Sequence, residues 1–334
     1  MSNKIRWGII GCGDVTERKS GPAFSLIERS MLAAVMRRDA AKAEDYARRH
    51  NVPKWYSNAD ELLDDPAVNA VYVATPPSSH KEYVIKALAK GLPVYVEKPA
   101  AMNAAEVLEI SEAAYRHSGK ICVAHYRRAL PMFQFVKKIL DEQMIGHVSM
   151  VQADLWQSPA PSLAAQSGNN WRIDPAVSGG GLFHDLSPHL LDLMLYYFGE
   201  PVRYQGSSMN QSRRYGADDI VTGQMIFEGS ILFNGTWNFS VGETEARDTC
   251  VIVGSGGSIS FSLFGSDVVI RTRQEQTVHH FDHPIHIQQP MIEAVTKYFQ
   301  GTGGNPCPIE TGLTVMRVID SFTQHSMKEE KYEI

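Results

Sequence analysis

Three short stretches of this 334-residue chain carry residue types and spacings suited to chemistry on a small molecule. Glu97-Lys98-Pro99 follows an apolar run, so the Lys98 ammonium falls at a strand end, where it can stabilise negative charge forming on an oxygen. Gly179-Gly180-Gly181 is followed by Asp185 and His189. An imidazole titrates close to neutrality and can take or return a hydroxyl proton, the step that alcohol oxidation or carbonyl reduction requires. Asp185 stands four residues before His189, which puts both on one helix face once the helix has begun. Pro188 suits a first helical turn, so the spacing predicts a helix starting near His184 or Asp185. Asp185 can then hold a substrate hydroxyl and pair with Lys98, or act as a cap. The third stretch, Gly11-Cys12-Gly13-Asp14-Val15-Thr16, ends the first apolar run. Gly11 permits a tight turn, and Gly13 lets a pyrophosphate approach the backbone at the following helix, so Gly11, Gly13, Asp14 and Val15 are candidate cofactor contacts. Thr16 replaces the third glycine of the usual fingerprint, so position carries the assignment.

The hydrophobic pattern shows the elements that would hold these groups. Up to residue 125, β-branched runs at 5–11, 32–37, 70–75, 93–98 and 121–126 alternate with helical patterns at 39–50, 78–90 and 104–117. Such alternation predicts an α/β domain with a parallel sheet wrapped on both faces. Ligands bind outside the carboxyl ends of such strands, where Gly13, Arg37, Thr75-Pro76, Lys98 and His125 should converge. Tyr126 and Arg127 lie just past the last strand as candidate substrate contacts, and Arg128 reads as a residue shaping the domain junction. After Pro131 the pattern changes to a helix over 132–141, a strand over 147–156 and a Ser, Pro, Gly and Asn-rich stretch over 157–181. Trp171-Arg172 in that stretch can form an apolar wall and a polar clamp over a substrate. A helix over 185–198, short strands with glycine turns between 201 and 273, and helices over 287–300 and 311–325 complete the chain. Those short strands suggest an antiparallel sheet. The length favours two domains, 1–125 and 126–334.

Arginines stand where a cofactor-selecting acid is expected. NAD-binding domains place Asp or Glu after the second strand, and here the run is Met36-Arg37-Arg38-Asp39. A guanidinium binds a 2′-phosphate through charge-assisted hydrogen bonds, so Arg37 and Arg38 favour NADP over NAD. The opposing reading makes both arginines solvated and Asp39 the acid displaced by register.

Composition narrows the class. With 32 basic and 37 acidic side chains the formal net charge is −5, and no basic block suited to nucleic acid appears. The longest apolar runs are too short to span a bilayer. Met1-Ser2-Asn3-Lys4-Ile5 leads directly into a strand pattern, so a cytoplasmic protein is expected. Four separated cysteines without a CxxC pair read as reduced thiols. His279, His280, His283 and His286 with Asp282 could suggest a metal site, but Pro284 interrupts them and the spacing fits no zinc pattern. They are expected as loop and helix-entry residues, with no metal.

Glu97-Lys98-Pro99 together with Gly179-Gly180-Gly181-x-x-x-Asp185-x-x-x-His189 resembles the glucose–fructose oxidoreductase / inositol dehydrogenase family, Gfo/Idh/MocA. Ala74-Thr75-Pro76-Pro77-x-x-His80, Arg127-Arg128-x-x-Pro131 and Trp171-Arg172 extend the resemblance over nearly the whole length. Departures are Thr16 and the missing acid at Arg37. The resemblance implies an N-terminal Rossmann dinucleotide-binding domain and a C-terminal α+β domain whose large, mostly antiparallel sheet serves as an oligomer interface. A homodimer or homotetramer is expected, with the last helix free to pack back on the first domain. It also implies that Lys98, Asp185 and His189 are catalytic and meet over the nicotinamide. Thr75, Pro76, His80, Glu97 and Lys98 are then cofactor contacts. Tyr126, Arg127, Trp171 and Arg172 join Lys98, Asp185 and His189 as substrate contacts. The implied activity is NADP- or NAD-dependent oxidation or reduction of a sugar, polyol or related molecule. Two rivals remain open: glycoside cleavage by oxidation and elimination with a retained cofactor, and a non-catalytic nucleotide sensor.

Overall fold

Strands buried on both faces must be apolar throughout, and the runs that satisfy this build the first sheet. A computed structural model describes residues 4–158 and 171–324 and divides the chain into two units, Met1–Leu130 with His283–Met316, and Pro131–Asp282 with Arg317–Ile334. In the first unit the strands are β1 (Ile5–Ile10), β2 (Ser30–Met36), β3 (Lys54–Tyr56), β4 (Ala70–Val73), β5 (Val94–Val96) and β6 (Ile121–Val123). They form one sheet in the order β3-β2-β1-β4-β5-β6, parallel at every pairing. The helices are α1 (Asp14–Arg18), α2 (Ala40–Arg49), α3 (Ala59–Leu63), α4 (His80–Ala89) and α5 (Ala104–Arg116). Trp7, Phe24, Tyr72 and Tyr95 stack through its core, with centroid separations of 4.8, 5.2 and 5.1 Å from Trp7 through Phe24 and Tyr72 to Tyr95. β3 has no counterpart in the pattern read from sequence. It is a three-residue edge strand with Lys54 and Trp55 exposed, so burial imposes no apolar run on it.

The second unit holds α6 (Pro131–Asp141), β7 (Val148–Trp156), α7 (Pro175–Ser178), α8 (Gly181–Phe198), and strands β8 (Pro201–Met209), β9 (Ile220–Phe227), β10 (Ile231–Asn238), β11 (Arg247–Gly254), β12 (Gly257–Phe261), β13 (Asp267–Thr272) and β14 (Gln276–His280). The eight strands run β14-β13-β12-β11-β7-β10-β9-β8, antiparallel except where β7 and β10 pair in parallel. Gly206, Gly223, Gly235 and Ala153 are register partners across β8, β9, β10 and β7. Phe322 lies over two of these glycines: a Cβ on Gly206 or Gly223 would come within 2.8 or 2.0 Å of its ring. β14 corrects an expectation, because His279 and His280 belong to a strand and not to a loop. Helices α9 (Gln289–Gln300) and α10 (Ile309–Thr323) end the described chain. All four cysteines are free and buried. Among the described residues no helix is long and apolar enough to cross a membrane.

Candidate active site

The carboxyl ends of β1, β2, β4 and β5 carry the first group of candidates. Gly11 follows β1 at φ +95°, and a Cβ there would stand 2.7 Å from both the Thr75 methyl and the Thr75 nitrogen. The close approach of β1 and β4 therefore requires glycine. Gly13 is open: a Cβ would meet nothing nearer than Gly11 O at 4.0 Å. Asp14 is exposed and Val15 half-buried, both in the five-residue helix α1. Thr16, where a third glycine was expected, is fully buried; its hydroxyl donates to Gly13 O at 2.8 Å and its carbonyl accepts from Tyr46 at 2.9 Å. Arg37 follows β2 and donates from Nη1 to Cys12 O at 3.2 Å, beside the glycine loop. Arg38 is exposed, and Asp39 caps α2 by accepting from Lys42 N at 3.2 Å. The displaced-acid reading thus finds Asp39 engaged as a helix cap.

Lys98 is held by its surroundings on two sides. The Glu97 carboxylate accepts from the Tyr72 hydroxyl at 2.5 Å, the Gln288 amide at 2.7 Å and Lys98 N at 3.1 Å. His80 places Nε2 at 2.7 Å from Thr75 O and Nδ1 at 3.0 Å from Pro99 O, tying the β4 and β5 loops together. Burial pushes the His80 pKa below its ordinary value against the opposing pull of these carbonyls. The Lys98–Pro99 peptide is cis. The side chains of Glu97 and His80, expected as cofactor contacts, are 5% and 0% exposed and meet internal partners. The physical reason is that strand-end loops need internal partners for buried polar groups. Thr75 accepts from Ser79 at 2.9 Å through its hydroxyl, and Pro76 is half-buried. His125, Tyr126 and Arg127 are buried, with the Arg127 guanidinium 5.5 Å from the Tyr126 ring centre. Arg128 donates to Pro306 O at 3.2 Å.

In the second unit α8 carries Asp185 and His189 one turn apart. The helix begins at Gly181, earlier than expected, and Pro188 lies inside it rather than in its first turn. Pro188 costs the helix one internal donor, yet fifteen of the eighteen residues are buried, and that packing holds the segment helical. Gly180 makes room for an imidazole: a Cβ there would stand 2.1 Å from His184 Nδ1. Burial lowers the His184 pKa to about 4, so this ring is neutral near pH 7. Arg172 pairs with Asp185, Nε to Oδ2 at 3.2 Å, and its guanidinium lies 4.4 Å from the Trp171 ring centre. His189 is 5% exposed, its ring perpendicular to Phe264 at 6.1 Å.

The structure thus joins Gly11, Gly13, Arg37, Thr75, His80, Glu97 and Lys98 along one sheet edge of the first unit. It joins Trp171, Arg172 and Asp185, with His189 on the same helix as Asp185, in the second. Sequence reasoning missed Tyr72 and Gln288, the Glu97 partners; nothing in local spacing marks a partner 191 residues away. Of the histidine cluster, His280 pairs with Asp267 at 2.7 Å and His279 packs on Phe135 at 4.7 Å. Among the described residues no group of three or more His, Cys, Asp or Glu is arranged to hold a metal ion. The part of the 157–181 stretch between Ser158 and Trp171 lies outside the described residues.

Comparison with known proteins follows the same division. The Gfo/Idh/MocA model for an oxidoreductase family with an NAD-binding Rossmann fold matches residues 5–125, and the model for the C-terminal domain of that family matches 133–260. An oxidoreductase of Formosa agariphila is 43% identical over 322 residues, covering 96% of this chain and 99% of its own. An aldose–aldose oxidoreductase from Caulobacter crescentus, solved with glycerol, superposes with a TM-score of 0.84 at 22% identity, covering 96% of each chain. A levoglucosan dehydrogenase solved with NADH and levoglucosan does so with a TM-score of 0.80 at 19% identity, covering 96% of each chain. At these identities the two structures show a shared fold.

Proposed function

The chain belongs to the Gfo/Idh/MocA family of oxidoreductases, and on that premise we propose that it moves a hydride between a nicotinamide cofactor and a hydroxyl or carbonyl carbon of a sugar, polyol or related molecule. The observation that carries the proposal is the strand order: β1, β4 and β5 are neighbours, so Gly11–Gly13, Thr75 and Lys98 end on one edge. These residues fit a dinucleotide independently of the family, because the loop is open at Gly13 and Arg37 stands on the Cys12 carbonyl. Gly11, Gly13, Asp14, Val15, Thr75 and Pro76 would hold it, and once bound it supplies the hydride acceptor or donor.

Lys98 donates to the substrate oxygen and stabilises the alkoxide character that develops there. His189 accepts the hydroxyl proton in oxidation and returns it in reduction. Asp185, oriented by Arg172, holds a neighbouring substrate hydroxyl. Trp171, Tyr126 and Arg127 line the substrate. Arg37 and Arg38 select NADP over NAD, a reading supported by Asp39 being spent on its cap. The relatives compared are named as oxidoreductases or a dehydrogenase, which favours neither the glycosidase nor the sensor reading. We further propose that the first unit binds nucleotide, that the second binds substrate, and that its sheet pairs copies into a homodimer or tetramer. Four free buried thiols fit the cytoplasm.

The test is a panel of aldoses, polyols, glycerol and levoglucosan with NADP⁺ and with NAD⁺, followed by reduced-nicotinamide absorbance. Reduction of NADP⁺ by one substrate class supports the proposal. A protein that binds neither nucleotide on titration would overturn it.

A further inference from the structure

Gln288 stands where no motif marks it. It is 1% exposed, at the entrance to α9, and its backbone N–H donates to Lys19 O at 3.1 Å, just past α1. Two residues earlier His286 Nδ1 lies 2.7 Å from Arg18 O. The same segment therefore grips the end of the helix that follows the glycine loop, while the Gln288 amide reaches Glu97 at 2.7 Å. A buried carboxylate must have its oxygens satisfied by donors, and Tyr72, Gln288 and Lys98 N–H provide them here. Tyr72 and Gln288 donate to the same Glu97 oxygen, so without the Gln288 donor one side-chain donor holds the carboxylate in place of two, and its grip on the Lys98 N–H through the other oxygen weakens.

We propose that Gln288 is a positioning residue for Lys98, acting through the Glu97 carboxylate and fixing Lys98 relative to the helix after the glycine loop. This rests on the reading of Lys98 as catalytic, and the experiment separates the two. Gln288→Met keeps the length of the side chain and removes the donor. Gln288→Glu sets a second carboxyl against Glu97; such pairs share a proton, and the protonated form can donate as the amide did. The titratable groups facing Glu97 are Tyr72 from β4, Tyr95 from β5 and His80 from α4. Burial pushes both tyrosines up and His80 down, which leaves the introduced carboxyl pair as the group that takes up a proton.

Amide hydrogen exchange at Lys98 is measured in cofactor-free protein, with amides of β2 as reference, and turnover is measured with NADP⁺ and the substrate found by the panel. In Gln288→Met the Lys98 amide should exchange at least about 10-fold faster while β2 is unchanged. Turnover should fall about 10-fold, short of the ~10²-fold that a 1 Å misplacement costs, with nucleotide affinity held within about 3-fold. In Gln288→Glu both effects should recede as pH falls. Unchanged Lys98 exchange in folded Gln288→Met, or no recovery of Gln288→Glu at acid pH, overturns the inference whatever turnover does. Faster Lys98 exchange combined with normal turnover in Lys98→Met supports the grip by Gln288 and instead refutes the catalytic reading of Lys98.

Discussion

Replacing Arg172 by Met breaks a pair whose side chains are 6% and 12% exposed and 3.2 Å apart. At an effective dielectric constant of ~20, unit charges at that separation attract by about 5 kcal/mol before desolvation is counted. Removing one partner of a buried pair typically costs ~3–5 kcal/mol, because the other charge stays behind. The exposure of Asp185 places the expected loss at the lower end, about 3 kcal/mol. Asp185→Asn removes the pair's other charge, so adding it to Arg172→Met should cost less than the two single losses summed, with a coupling of about 1–3 kcal/mol. The assay is denaturant unfolding of the four proteins of the cycle, with kcat and KM on the panel substrate beside it. Arg172→Met and Asp185→Asn should each raise KM more than they lower kcat, because an oriented carboxylate holds the ground state as well as the transition state. Additive losses would refute the pairing, and an unchanged KM in both variants would refute the role of Asp185 in holding substrate.

Other expectations follow from named groups. Arg37→Asp should weaken NADP binding by about 10- to 150-fold, the loss of one charge-assisted bond worth ~1.5–3 kcal/mol, and leave NAD binding little changed; tighter NAD than NADP binding by the unaltered protein would refute the assignment. Lys98→Met and His189→Ala should each lose at least ~10²-fold in turnover, while His280→Ala and His283→Ala stay near normal; a folded, active His189→Ala removes that ring from the mechanism. Arg49, then His50, lowers the Glu17 carboxyl to about 2 from 4.5, so its stabilisation is present above pH 4.5 and is lost as pH falls through about 2. Arg49→Met should therefore weaken the protein near neutral pH and flatten that acid limb, checked by unfolding across pH. Light scattering should return a multiple of 37.1 kDa, and a monomer at all working concentrations would exclude the sheet-paired assembly.

The interior strands were legible because enclosure on two faces leaves little choice but apolar side chains, as Ala70–Val73 shows. The strands that escaped, β3 and β14, sit at sheet edges, where one neighbour is missing and polar or exposed residues are tolerated. The start of α8 was misplaced for a related reason. A rule about proline in a helix speaks of backbone donors alone, and here burial of fifteen residues outweighed the one lost bond. Local rules mark an element well until packing supplies a larger energy.

The site divides in the same way. Gly11, Lys98, Asp185 and His189, the residues of the proposed site, stand out in the sequence because their chemistry and spacing lie within short motifs. Their supports were less so: Tyr72 and Gln288 meet Glu97 only after folding, and Arg172, read as a substrate clamp, shows its pairing with Asp185 only then. Glu97 shows what a motif hides when it is read as one unit. Glu97 and Lys98 directly follow β5, which ends at Val96, so no strand alternation fixes where they turn and burial decides instead. Glu97, at 5% exposure, takes the inward direction and meets three internal donors. Lys98 beside it is half-buried. Adjacent charges of one motif therefore part: Glu97 is satisfied inside by partners remote along the chain, and Lys98 stays half-buried.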